Sequence, residues 1–166
     1  HVRSRRQRQM CIRDSLISTL DTAIREVSHG TNAMAGERPS PAAEHTEAEL
    51  TEAERKHAGG LMRINHTGEV CAQALYRGQA LVAKTEETRT ALLEAAQEEK
   101  DHLDWCEERI DELGTHTSRL NPLFFASSYA LGALTGAIGD KVSLGFVHAT
   151  EEGVAMHLKE HLQKLP

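Results

Sequence analysis

Aromatic side chains are scarce, at 4% of 166 residues, while Ala, Leu, Glu and Gln are plentiful, so composition favours helices and leaves little for a sheet. Only three cysteines occur, Cys11, Cys71 and Cys106. They form no Cys-x-x-Cys pair, which excludes a disulfide framework and a cysteine-based zinc site and fits a reducing, cytosol-facing compartment. Cys71 and Cys106 read as small buried hydrophobes. Positive charge is also in short supply: the formal charge is −6, five arginines fall in the first thirteen residues, and the remainder from Leu16 onward carries about −10. Nucleic acid is therefore excluded as a partner. No charged, apolar and small-residue segments follow one another as in a secretory signal. An initiating methionine is absent too. The opening HVRSRRQRQMCIRDS has no periodicity, so residues 1–15 read as a non-native extension, and the abrupt end at Pro166 reads as a break in a longer protein.

A single domain of this length can bury roughly two thirds of its unfolded surface and hide a polar cluster. Leu16, Leu20, Ile24 and Val27 recur at helical spacing, and a Gly- and Pro-bearing linker follows, so residues 16–46 form a short helix and linker and residues 47–166 the organised domain. In that domain, one helix is predicted from Thr51 to Ala83, with Gly59 and Gly60 as a candidate interruption, and a second from Glu86 to Leu113 with Gly114 as its stop. A third starts at Asn121 and Pro122 and runs to Ile138, and a fourth runs from Lys141 to Leu165. The expected architecture is an all-helical bundle.

Between the first two long helices, Thr85 is a good N-cap followed by Glu86 and Glu87. Glu69 lies roughly 24 Å before this turn and Glu99 roughly 21 Å after it at about 1.5 Å per residue, so an antiparallel pair puts them in one layer. In the run EEKDH, His102 follows Glu99 by three positions on the same face. This carboxylate and imidazole set suits iron or manganese better than zinc. Glu54 and His57 share the spacing but sit in a solvent-facing run. Glu69 instead lies on a small, apolar face with Gly68, Ala72 and Tyr76, where an unpartnered carboxylate would cost several kcal/mol. Glu151 lies among Phe146, Val147, Val154 and Leu158, and it reads as a third carboxylate directed at the same core.

NHTGE, EEKDH, WCEERIDELG, NPLFFASSYALGALTGAIGDKVSLGF and ATEEGVAMHL, in that order, resemble the demethoxyubiquinone hydroxylases, ferritin-like di-iron monooxygenases of ubiquinone biosynthesis. The resemblance spans roughly Leu50 to Pro166. It implies a ferritin-like bundle, incomplete at its C-terminal end, that holds two iron ions. Glu69 would be a terminal ligand, Glu99 a bridging carboxylate, His102 a ligand of the first iron and Glu151 of the second. The family completes its site with a further Glu-x-x-His, expected roughly 15 to 20 residues beyond Pro166, so iron should be held poorly without it. His157 and Tyr76 occupy positions where the family keeps polar residues near the site, although a core histidine and a packing tyrosine explain them equally well. His66, three positions before Glu69, reads as a supporting or surface residue. The implied substrates are a prenylated quinol and dioxygen, with NADH or the quinol ring as the electron source.

The stretch from Leu120 to Gly139 carries no charge, yet Ser127, Ser128, Thr135 and several glycines make it a poor membrane span. Gly132 and Gly136 give a small-residue face for close helix packing. A helix that docks on the bilayer fits better, with the protein peripheral on the cytoplasmic face of the bacterial inner membrane and able to form a homo-oligomer. Two rivals stand beside this reading: a ferritin-like iron oxidase or peroxide-handling protein, and a non-enzymatic helical lipid-binding protein.

Overall fold

The computed structural model describes Ile17, residues 38–42 and residues 49–165. The boundaries expected at residue 15 and near residue 46, and the short helix over residues 16–27 apart from Ile17, lie outside them. Four helices follow one another, α1 (Glu52–Val82), α2 (Glu86–Glu112), α3 (Asn121–Ile138) and α4 (Asp140–Leu162), and there is no strand among the described residues. This is the all-helical bundle expected from composition.

Helix α1 starts at a capping box, in which the Thr51 hydroxyl accepts from the Glu54 backbone N–H and the Glu54 carboxylate accepts from the Thr51 N–H at 2.8 Å. Glu54 thus caps a helix, and its neighbour His57 is exposed. Gly59 and Gly60, the candidate interruption, do not break α1. A Cβ on Gly59 would overlap the Thr115 methyl group, so the missing side chain is what lets the loop after α2 cross there. Arg63 secures the crossing by donating to the Thr115 hydroxyl at 2.5 Å and the His116 carbonyl at 2.6 Å.

Thr85 caps α2 as expected, accepting from the Thr88 N–H at 3.2 Å. At the far end Gly114 takes φ +68°, the left-handed conformation that ends a helix without a Cβ penalty. Helix α4 begins one residue earlier and ends three residues earlier than expected, at Asp140 and Leu162. Asp140 is recruited because its carboxylate accepts from the backbone N–H groups of Lys84 (2.9 Å) and Thr85 (3.1 Å), tying the α1–α2 turn to the α3–α4 turn. These bonds hold its carboxyl below the usual range, the Lys84 amide most strongly.

Helix α1 is the central element, packed on α2 and α3, with α4 making lighter contacts to α1 and α3. Leu75, Tyr76, Ala72 and Ala96 form one core cluster, with Val147 of α4 against it. Val70, Ala74, Leu103 and Phe125 form another. The α1–α3 crossing is built on glycine: a Cβ on Gly132 would overlap the Leu75 carbonyl, and one on Gly78 would overlap the Tyr129 carbonyl. No helix among the described residues is long and apolar enough to cross a membrane. The outer face of α3 nevertheless exposes Leu123 (65%), Leu134 (68%) and Ile138 (67%).

Candidate metal centre

The antiparallel α1–α2 pair brings Glu69, Glu99 and His102 together, with one donor atom from each lying within 4.8 Å of the others. His102 Nδ1 is 3.0 Å from the Glu99 carboxylate and 3.8 Å from that of Glu69. Glu69 is buried and the other two are partly buried. Burial, and after it the hydrogen bond and charge shared with Glu69, push the Glu99 carboxyl up, while His102 opposes the rise. The hydrogen bonds to Glu69 and Glu99 raise the His102 imidazole to about 10. Two carboxylates forced together in a low-dielectric layer thus draw a positive charge between them. The imidazolium proton supplies that charge here, and a divalent cation with carboxylate and imidazole ligands fits the same donor set.

Around this group, Tyr76 is 1% exposed, and burial followed by the charges of Glu99, Glu151 and Glu69 raises its phenol, which stays protonated. Cys106 is half-buried rather than buried, and so is Cys71. Burial and the nearby Glu69 push the Cys106 thiol up to about 12, so it is uncharged in this environment. Glu151 stands apart from the three-donor group. It is exposed on α4 rather than turned into the core, because α4 lies lightly on the bundle and only its Val147 side packs on the Tyr76 cluster. His157 is exposed as well, with its ring 4.0 Å from that of His161.

The sequence left His66 between a supporting and a surface role and gave no sign of Gln73. His66 is buried, its Nδ1 accepting from the Asn121 amide at 3.2 Å, while the Thr67 hydroxyl donates to the Asn121 Oδ1 at 3.1 Å. Burial lowers the His66 pKa to about 4. Gln73, one turn after Glu69, is fully buried with neither amide atom partnered among the described residues. Its spacing from Glu69 was visible, but glutamine on a helix gives no signal of burial.

Residues 56–166 match the family described as ubiquinone biosynthesis protein COQ7. The chain belongs to this family. Among curated COQ7-type relatives, the 3-demethoxyubiquinol 3-hydroxylase of Chromohalobacter salexigens is 55% identical over 160 residues, covering 96% of this chain and 74% of the relative. The protein of that name from Pseudomonas syringae pv. syringae is 54% identical over the same coverage. A Pseudomonas fluorescens relative, also of that name, is 61% identical over 129 residues, 78% of this chain and 60% of its own length. No solved structure matches the chain. COQ7 membership accords with an all-helical bundle whose first two helices carry the Glu69, Glu99 and His102 group.

Proposed function

We propose that this protein is a monooxygenase of the 3-demethoxyubiquinol 3-hydroxylase type, hydroxylating the aromatic ring of a prenylated quinol with dioxygen at a late step of ubiquinone biosynthesis. The observation that carries the reading is the convergence of Glu69, Glu99 and His102 donor atoms within 4.8 Å in a COQ7-family chain. Two iron ions would be held with Glu69 as terminal ligand, Glu99 as bridge and His102 on the first iron. Glu151 would serve the second iron, and its charge already reaches the Tyr76 phenol. Such a centre, when bound, would supply dioxygen reduction and oxygen insertion, with two electrons drawn from NADH or the quinol ring.

The chain's own residues prepare this chemistry. Glu69 and Glu99 provide the negative charge that retains a cation, and His102 must release its imidazolium proton before its nitrogen can ligate. Tyr76 keeps its proton beside the carboxylates. The packed side chains of Leu75, Ala72 and Ala96 limit water on the core side.

The exposed apolar face of α3 supports docking on a bilayer, and the position proposed is peripheral on the cytoplasmic face of the bacterial inner membrane, where a prenyl tail would stay in lipid while the ring reaches the metals. A second copy of the chain is the competing occupant of that face. Fe(II) reconstitution of the protein carrying the further Glu-x-x-His, followed by aerobic turnover of a demethoxyquinol read by mass spectrometry, tests the assignment. The expected product is heavier by one oxygen atom drawn from dioxygen. Catalytic oxidation of Fe(II) by dioxygen without ring hydroxylation would instead favour an iron oxidase.

A further inference from the structure

One side of the metal-facing helix is bound by a segment remote in sequence. The Arg38 guanidinium Nε lies 2.5 Å from the Asp101 carboxylate, whose side chain is only 6% exposed, and the Arg38 backbone N–H reaches the same carboxylate at 3.4 Å. The Arg38 carbonyl accepts from the Trp105 indole N–H at 3.0 Å, and the guanidinium sits 5.8 Å from the centre of the indole ring. Trp105 in turn lies against the His102 imidazole, with ring centroids 5.2 Å apart and planes tilted by 44°. Residues 38–42 are therefore joined through one tryptophan to a member of the three-donor group.

His102 needs such support. Its side chain is 41% exposed, far more than that of Glu69 (11%) or Glu99 (14%), so packing from the core cannot by itself fix its ring. A ligating imidazole must hold one orientation, and groups outside the ligand set commonly provide it. We propose that Arg38 is a positioning residue: anchored on Asp101, it holds Trp105 against His102 and so fixes the imidazole for metal binding. The anchor combines charge with two hydrogen bonds to a buried carboxylate, which exceeds what an isolated surface ion pair supplies. The role rests on the metal reading of the Glu69, Glu99 and His102 group.

Trp105 is the only tryptophan, so emission excited beyond the absorption of the two tyrosines reports its surroundings. Co(II) is the probe, titrated into the metal-free parent carrying the further Glu-x-x-His that the family uses, and into its Arg38→Ala and Arg38→Lys variants, while emission and Co(II) absorption are followed. In the parent, binding should quench Trp105. Arg38→Ala should shift the metal-free emission to longer wavelength and raise the Co(II) dissociation constant about 10-fold, the low end for groups supporting a ligand. Arg38→Lys, which keeps the charge, should recover part of that loss, whereas a merely structural effect would appear in the melting curve without such grading. A variant whose emission shifts while Co(II) affinity stays at the parent value overturns the positioning role and leaves the metal reading intact. A parent that takes up no Co(II) overturns both.

Discussion

Glu69, Glu99 and His102 were legible one residue at a time because helical rise and a clear turn at Thr85 turn sequence distance into height along a bundle. His66 was left open between a supporting and a surface role, because its bond to Asn121 spans 55 positions. It carries a sharp prediction. Its folded pKa of about 4 lies below the ordinary 6.5, so the unfolded chain takes up a proton first as pH falls. The stabilising contribution is complete above about pH 6.5 and is lost progressively down to about pH 4, a difference on the order of 2–3 kcal/mol. Urea unfolding at pH 7 and pH 4.5 should therefore show a larger loss of stability in the parent than in His66→Gln; equal losses would remove His66 as the cause. At Glu99, replacement by alanine in the protein carrying the further Glu-x-x-His should abolish Fe(II) uptake while leaving helical circular dichroism largely intact. Retained uptake with retained turnover would exclude a bridging role.

At the level of the helices, Gly132 and Gly136 announced a close-packing face, but the surface that meets it, Leu75, Gln79 and Val82 of α1, could not be read because spacing names a face and not its partner. Gly59 misled for the related reason that helix propensity is local, while Thr115 fills the space beside it from another part of the chain. The crossing gives a graded test. Gly132→Ala and Gly78→Ala place a methyl group against backbone carbonyls that cannot yield without moving a helix, and each should cost about 1–3 kcal/mol in chemical denaturation. Gly145→Ala meets nothing within 4 Å and should be neutral or stabilising by up to about 1 kcal/mol. If all three behave alike, helix propensity rather than the glycine crossing governs these positions.

Across the whole molecule, the Asp140 bonds to the Lys84 and Thr85 amides and the His66, Asn121 and Thr67 ties hold the two ends of α3 against α1. One face of α3 is thereby spent on α1, and the other is left outward with Leu123, Leu134 and Ile138. The lack of charge in α3 was plain from sequence, but which side stays uncovered follows only from the glycine crossing. If that side meets lipid, each large apolar side chain contributes part of the roughly 1.5–3 kcal/mol available on full burial. Replacing Leu134 and Ile138 together by glutamate should therefore weaken binding to anionic lipid vesicles by at least about 10-fold in a flotation assay. Leu93→Glu is the matched control, exposing a similar side chain at 46% on α2, and should bind as the parent does. Sedimentation of the same proteins without lipid separates the competing occupant: a parent dimer dissociated by the double replacement, with vesicle binding unchanged, would assign the α3 face to a second copy of the chain.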